Sequence, residues 1–125
     1  GDLVQQVEEQ GYVSINDCCC GAGANLIAAI NSARHMLEDA GLNFQNYILV
    51  IGQDIEELVA LMCYIQISLL GVAGYIKVGN ALTEPMTSDD SMENYWFTPM
   101  YFSDVWHTRR MIHRFMDLFE KGDNR

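Results

Sequence analysis

The chain has 125 residues, a formal net charge of −10, 50% hydrophobic residues and 10% aromatic residues. This length suits one domain over 1–125, and the composition is typical of a folded globular protein. A negative charge of this size repels a phosphate backbone, so composition argues against binding of nucleic acid by this chain alone. The sequence shows no secretory leader and no apolar run of the roughly 18 residues that a spanning helix needs. We therefore expect a cytoplasmic protein without a membrane partner.

The first half of the sequence alternates between predicted helices and strands. A short helix over 3–10 precedes a strand over 12–17, where β-branched residues alternate with polar ones. A longer helix follows over 24–40, with apolar residues spaced for one face: Leu26, Ile27, Ile30, Ala33 and Leu37. The continuous apolar run over 47–52 is typical of a strand that is covered on both faces in a parallel sheet.

The second half continues the same alternation. A helix is predicted over 56–70, with apolar residues on one stripe: Leu58, Leu61, Met62, Ile65 and Leu69. A third strand is predicted over 74–82. The order strand, helix, strand, helix, strand indicates right-handed crossovers and an α/β fold with a parallel sheet.

The rest of the chain is predicted to be a loop, a strand and a helix. Residues 83–94 are polar, and the aromatic stretch 95–102 is a candidate fourth strand in which Pro99 restricts pairing. The last helix is predicted over about 104–121, with an apolar face made by Val105, Ile112, Phe115, Met116 and Phe119.

The stretch "NDCCCGAGANLIAA" at 16–29 offers two interpretations, a thiol or metal site and a glycine turn. Three adjacent cysteines on a strand end point alternately to opposite faces, so they do not converge on one zinc ion, and no C-x-x-C pair is present. We therefore predict no metal site and interpret the cysteines as small packing residues. A glycine turn that joins a strand to a helix instead presents backbone amides to a nucleotide-like ligand.

A second acidic residue, Asp54, ends the apolar strand in "VIGQDI". A carboxylate in this place accepts hydrogen bonds from both hydroxyls of a ribose. An aspartate just before "EELV" is equally suited to cap the following helix. The two roles are compatible, and the sequence leaves both open.

These stretches resemble the motifs of the adenine-N6 DNA methylases, especially the modification subunits of type I restriction systems. "DCCCGAGANLIAA" is similar to their first motif, D-P-A-C-G-S-G-G-x-L-I-A-A, and "GQDIEELVALMCYIQISLLGV" to their second block. "VGNAL" resembles the third block, G-D-S-L, with Asn80 in place of the aspartate. The resemblance covers residues 12–82 and implies a partial Rossmann-like methyltransferase fold with three or four mostly parallel strands.

The resemblance also implies a cofactor, S-adenosylmethionine, and a set of residues that bind it. The methionine part would be held by the first motif, namely Asp17, Cys20, Gly21, Ala22 and Gly23. Asp54 would bind the ribose hydroxyls and Ile55 would pack on adenine. Asn80, next to Ala81, would hydrogen-bond the adenine edge, and its amide supplies both a donor and an acceptor.

The catalytic block of this family, Asn/Asp/Ser-Pro-Pro-aromatic at the end of the fourth strand, has no full counterpart in the sequence. The nearest match is Thr98-Pro99-Met100-Tyr101, in which Thr98, Pro99 and Tyr101 would be a degenerate catalytic site. Thr98 lacks the amide or carboxylate that orients an exocyclic amine. The alternative interpretation is an aromatic core strand that contains a proline.

Three functions follow from these patterns. The first is a DNA methyltransferase of a restriction-modification system; the second is a catalytically inactive module that acts through a partner; the third is a binder of another adenine-containing ligand. Half a methyltransferase sheet leaves an exposed edge, so we expect either a fragment of a longer chain or a homo-oligomer or subunit of a complex, with DNA bound together with a partner chain.

Basic residues are concentrated near the end of the sequence. Of seven Lys and Arg, five follow residue 107: Arg109, Arg110, Arg114, Lys121 and Arg125. Together with His107 and His113, the arginines form either a strip that contacts phosphate or a partner, or a solvated basic face in the second half of a helix.

Overall fold

Four strands form one sheet in the order β1-β2-β3-β4 in the computed structural model, which describes residues 2–17, 24–87 and 90–123. The strands are β1 (Val13–Asp17), β2 (Ile48–Asp54), β3 (Ala73–Val78) and β4 (Tyr95–Phe97). The helices are α1 (Asp2–Gln10), α2 (Ala24–Asp39), α3 (Glu57–Leu70) and α4 (Asp104–Asp123), and short 3-10 helices lie at Phe44–Asn46, Met92–Asn94 and Pro99–Phe102.

The first three strands are parallel, as the sequence predicted. β1 pairs with β2 and β2 with β3 in parallel register, because each connection passes through a helix, α2 or α3. The predicted strand limits differ from the observed ones. β2 continues two residues beyond the predicted 47–52, to Asp54, whereas β3 ends at Val78 instead of residue 82.

The fourth strand runs in the opposite direction to the other three. β4 is antiparallel to β3, with Tyr95 opposite Lys77 and Phe97 opposite Tyr75. It ends at Phe97, and Pro99 begins a 3-10 helix, so the predicted strand over 95–102 is confirmed only for its first three residues. Proline lacks the N–H that would continue the ladder.

The hydrophobic core lies on one face of the sheet, which we call the first face. It joins strand residues such as Val50 and Ile76 with side chains from α1, α2 and α3. The predicted face of α2 is confirmed, since four of its five residues are buried (Leu26, Ile30, Ala33 and Leu37) and Ile27 packs against them. The spacing of apolar residues predicts the buried face of α2 correctly because polar residues occupy the other side of the helix.

The stripe predicted on α3 forms one face of the helix, but this face points to solvent. Its five residues are exposed, from Leu61 at 38% to Leu69 at 83%. The side chains that contact the sheet are smaller or lie elsewhere on the helix: Ala60, Cys63 and Ile67, all fully buried. α3 is apolar on nearly every side, so periodicity alone did not indicate which side packs on the sheet.

The opposite side of the sheet, which we call the second face, carries Leu49, Ile51, Gln53, Tyr75 and Lys77. It is covered by Tyr95 and Phe97 of β4, by the 3-10 helix at Pro99–Phe102 and by the start of α4. Within the described chain, no helix is both long and apolar enough to cross a membrane.

One buried residue anchors α4 at the amino edge of the sheet, where the parallel strands begin. The Trp106 indole donates a hydrogen bond to the Gln45 carbonyl at 2.9 Å and packs edge-on against Tyr12, with ring centroids 5.9 Å apart. Trp106 is 2% exposed, whereas the apolar face that the sequence predicted for this helix is exposed. The helix therefore docks through its first turns only.

Replacing Gly74 with alanine is expected to destabilise the fold by about 1–3 kcal/mol, because the added carbon would lie 2.6 Å from the Val50 carbonyl oxygen of the neighbouring strand. Urea denaturation followed by circular dichroism measures this loss. Ser14→Ala is the control, because it also places an alanine in a strand, but at an exposed position of the edge strand β1. An equal loss in the two variants would contradict the steric explanation.

Candidate functional site at the carboxyl edge of the sheet

The parallel strands bring the predicted cofactor residues to one edge of the sheet. Asp17 ends β1 and Asp54 ends β2, and Asn80 lies two residues beyond the end of β3. The register places Asp17 opposite Gly52 and Asp54 opposite Val78. The side chain of Asp17 and the glycine turn, Cys20, Gly21, Ala22 and Gly23, lie outside the described part of the chain.

Asp54 lies where β2 turns into α3. One carboxylate oxygen accepts a hydrogen bond from the Glu56 backbone N–H at 2.9 Å, and α3 begins at Glu57 with Glu56 as its N-cap. Asp54 thus shapes the approach to the helix without being its N-cap. The next residue, Ile55, is 63% exposed, which presents an apolar surface beside the carboxylate.

Asn80 lies in a tight turn and not in the strand where the sequence placed it. Its side-chain oxygen accepts a hydrogen bond from the Leu82 N–H at 2.8 Å, so the amide nitrogen, a donor, is the group suited to an acceptor on adenine. The preceding Gly79 has φ of +154°, a conformation that other residues rarely adopt, and it donates to the Asp54 carbonyl at 2.9 Å. This bond keeps Asn80 near Asp54, with Ala81 next to it.

A buried side chain of β2 bonds the loop that follows Asn80 to the sheet. Gln53, only 4% exposed, donates from its side-chain nitrogen to the Glu84 carbonyl at 2.9 Å. A buried amide that bonds to backbone fixes the loop at low conformational cost. The Gln53–Glu84 bond and the Gly79–Asp54 bond together fix the segment that contains Asn80 beside the end of β2, where Asp54 lies.

The candidate catalytic block lies at the other end of the sheet. Because β4 is antiparallel, Thr98 lies beside Gly74 near the beginning of β3, about 13 Å along that strand from Val78. The Thr98 hydroxyl is fully buried, accepts from the Gly74 N–H at 3.0 Å and donates to the Val72 carbonyl at 2.8 Å. Pro99 begins the 3-10 helix, and the Tyr101 ring packs 4.9 Å from Phe97.

This arrangement corrects the catalytic interpretation of Thr98, Pro99 and Tyr101. The structure does not bring the three residues to the edge that holds Asp54 and Asn80. The Thr98 hydroxyl is committed to backbone groups, and the aromatic ring is part of a cluster. The alternative interpretation, an aromatic strand with a proline at its end, describes these residues.

A buried ion pair on the second face was not predicted from the sequence. Lys77, with a side chain 4% exposed, contacts the Asp90 carboxylate at 2.5 Å and donates to the Pro85 carbonyl at 3.2 Å. Asp90 also accepts from the Tyr95 hydroxyl and from Thr87. These bonds, first of all the one from Lys77, hold the pKa of Asp90 well below its usual range.

Tyr95 completes this polar cluster. Burial, together with the bond to the Asp90 carboxylate, raises the pKa of the Tyr95 phenol well above its usual value, so the hydroxyl stays a donor at neutral pH. The cluster ties Pro85, Asp90 and Tyr95 to Lys77 of β3. In the described ranges, no three His, Cys, Asp or Glu side chains come together as a group that could hold a metal ion.

Comparison with known families identifies the chain. The model of a family described as N-6 DNA Methylase matches residues 2–122, nearly the whole sequence. The chain belongs to the N-6 DNA methylase family. No curated protein and no solved structure matches it significantly. This match confirms the predicted family, and it supports a methyltransferase-like function linked to DNA methylation.

Three of the residues predicted to bind the cofactor lie close together in the described part of this N-6 DNA methylase chain. Asp54, Ile55 and Asn80 lie on neighbouring strand ends, which are the places of the ligand crevice in parallel α/β sheets. The Lys77–Asp90 pair was missed because thirteen residues separate its members in the sequence. The signal for it was a single lysine inside an otherwise apolar strand.

Proposed function

We propose that this chain binds S-adenosylmethionine at the carboxyl edge of its sheet and forms the cofactor half of an adenine-N6 DNA methylase. The observation that supports this proposal is the meeting of Asp54, Ile55 and Asn80 at one edge, in a chain that the family model matches almost throughout. The residues present fit the cofactor: a carboxylate for two hydroxyls, an exposed apolar side chain and an amide donor.

In this proposal each residue has a binding task. Asp54 accepts hydrogen bonds from the ribose hydroxyls, Ile55 covers one face of adenine and Asn80 donates to a ring nitrogen. The first motif, Asp17 and Cys20 to Gly23, holds the methionine part through backbone amides. The bound cofactor supplies an electrophilic sulfonium methyl group for transfer to the exocyclic amine of adenine.

A second candidate is a methylase-like module that binds the cofactor but does not catalyse transfer by itself. The position of Thr98 favours it, because the nearest match to the catalytic block is buried at the far end of the sheet. In that case the catalytic residues come from a partner chain or another segment. DNA binding would then require the partner as well.

Asp54→Asn is expected to weaken binding of S-adenosylmethionine ten- to a hundredfold, about 1.5–3 kcal/mol, because the amide replaces one charged acceptor with a donor. Asparagine keeps an oxygen for the Glu56 N–H, so the turn is preserved. Isothermal titration calorimetry measures the change. Glu9→Gln on α1 makes the same change of charge on an exposed helix and is expected to bind like the wild type.

One result would exclude the proposal, and another would decide between its catalytic and non-catalytic forms. The absence of any binding heat at millimolar S-adenosylmethionine would exclude the cofactor assignment. Transfer of a radiolabelled methyl group to adenine in DNA by the purified chain alone would exclude the non-catalytic form. S-adenosylhomocysteine, which lacks the methyl group, is expected to bind at the same site.

A further inference from the structure

A groove separates α4 from the second face of the sheet, near the amino edge. Its cavity has a volume of about 360 Å³, which lies in the range of ligand pockets. One wall is α4, and the other includes Leu49, Tyr75 and the ring of Tyr101. We call this space the arginine groove, after the three arginines that line it: Arg109, Arg110 and Arg114.

The arginine groove is the basic region of an acidic protein. Three of the seven Lys and Arg in the whole sequence line it, and no aspartate or glutamate of the described residues does. The nearby carboxylate of Asp117 lies 3.9 Å from His113, which also lines the groove. The lining of the groove thus has the opposite sign to the net charge of −10. Local potential, and not net charge, decides which ligands a cleft attracts.

Aromatic rings hold two of the arginines in place. The Arg110 guanidinium lies 4.0 Å from the centre of the Tyr101 ring, and the Arg109 guanidinium lies 4.5 Å from that of Trp106. Arg109 also donates to the Asn46 carbonyl at 2.6 Å, which fixes it to the loop before β2. A guanidinium stacked on a ring keeps its N–H groups at its edge, where a planar or tetrahedral oxyanion binds.

Arg110 has a donor without an acceptor. Its Nη1 atom is buried and makes no hydrogen bond with any described residue. A buried donor of a charged group is costly when it is unpaired, so a rotation of the guanidinium that turns this nitrogen toward an anionic oxygen in the groove would be favourable. Together with the acid-free lining, this atom points to an anion.

We propose that the arginine groove binds the phosphate backbone of a DNA strand that flanks the methylation target. The inference rests on the proposed function, because it takes DNA as the substrate. Leu49 in the groove and Asp54 at the cofactor edge are five residues apart on β2, about 17 Å. This length corresponds to about five nucleotide steps of a strand, which suits a contact outside the target base. Tyr12, which also lines the groove, offers an aromatic ring beside the phosphate site.

Fluorescence anisotropy with a labelled 12-nucleotide DNA, single-stranded and duplex, tests the proposal at 50 to 200 mM salt. The double variant Arg110→Gln with Arg114→Gln is expected to bind DNA at least tenfold more weakly. Its slope of log affinity against log salt should become shallower by about 1.8 for the duplex and by about 1.4 for the single strand, since each phosphate contact contributes about 0.9 and about 0.7 respectively. Arg109 is left in place because it bonds to backbone. Arg34→Gln on α2, an arginine paired with Glu38 outside the groove, is the control for the loss of one positive charge, half of the change in the double variant, and is expected to bind like the wild type.

The outcomes separate this proposal from its alternatives. Wild-type chain that binds no DNA at 50 mM salt, or a double variant that binds as well as the wild type, overturns it. Displacement of DNA by poly-glutamate as effectively as by unlabelled DNA also overturns it, in favour of an acidic protein partner. Equal affinity for deoxyadenosine monophosphate and for the strand assigns the groove to a free nucleotide and overturns the strand contact.

Failure of the cofactor assignment is distinguishable from failure of this one. Calorimetry with S-adenosylmethionine is expected to give the same affinity for the wild type and the double variant. If the wild type binds DNA but not the cofactor, and the double variant has lost DNA binding, the arginine groove is supported and the cofactor site is excluded. Arg110→Lys keeps the charge but not the planar guanidinium, so we expect it to bind DNA more tightly than the double variant and more weakly than the wild type. Circular dichroism of each variant checks that the fold is retained.

Discussion

Replacing Thr98 with valine is expected to destabilise the protein by roughly 2–4 kcal/mol, although the two side chains have nearly the same shape. The hydroxyl accepts from the Gly74 N–H and donates to the Val72 carbonyl, and the side chain is fully buried. Valine leaves both backbone groups without a partner in a place that water does not reach. Urea denaturation of the purified chain measures the loss.

A second variant and a binding measurement show whether the loss of stability comes from the hydroxyl. Thr98→Ser keeps the hydroxyl and is expected to lose less stability than the valine variant. Binding of S-adenosylmethionine to folded Thr98→Val is expected to match the wild type, because the residue lies far from Asp54 and Asn80. A valine variant as stable as the wild type would show that the hydroxyl does not hold β3 and β4 together.

Replacing Asp90 with asparagine is expected to lower the melting temperature at pH 7 by several degrees. Lys77 is 3% exposed, and its charge would remain inside the protein without the carboxylate that neutralises it. The amide would also be a weaker acceptor for the Tyr95 hydroxyl and for Thr87. Asp39→Asn, at the exposed end of α2, is the control and should change stability little.

The same pair gives stability a defined dependence on pH. The folded-state pKa of Asp90 lies well below the ordinary value of 3.8, so its contribution is fully present above that value and is lost as the pH falls through the folded-state pKa. The difference in stability between wild type and Asp90→Asn should therefore be constant from pH 7 to pH 5 and shrink below about pH 4. Denaturation midpoints at pH 7, 5 and 3.5 check this, and a difference that grows in acid would contradict the assignment.

The sequence was sufficient to predict the parallel half of the fold. Runs such as "YILVIG" between two helices leave few alternatives, because a strand, a crossover helix and a second strand almost always form a right-handed parallel unit. α2 was oriented correctly since its polar residues mark its solvent side. The meeting of Asp54 and Asn80 at one edge of the sheet followed as well, because the ends of neighbouring parallel strands lie side by side.

The place and direction of the antiparallel strand β4 could not be predicted from the sequence. β4 has three residues and follows a long segment, so nothing local specifies which edge of the sheet it joins or in which direction it runs. Its direction decides the meaning of Thr98, since a reversed strand moves its last residue to the opposite end of the sheet. The catalytic interpretation failed on direction and not on residue chemistry.

The arginine groove illustrates an intermediate case. The sequence showed that basic residues are concentrated after residue 107, but it included His107 in the basic strip, and His107 is not among the groove residues. The structure groups Arg109, Arg110 and Arg114 instead, because α4 is anchored at Trp106 and leans along the second face. Only the position of the anchor determines which side of the helix faces the sheet.

The exposed stripe of α3 has a consequence for how that helix keeps its orientation. A helix with a polar side is fixed by the contrast between water and core, but α3 offers leucine and isoleucine to solvent and Ala60 and Cys63 to the sheet. Hydrophobicity therefore favours no particular rotation about its axis. The rotation is selected by steric fit, because the small side chains of Ala60 and Cys63 let the helix axis come close to β2 and β3, with Ile67 as the large side chain that is buried beside them. On this helix, steric fit does the work that amphipathicity does on α2.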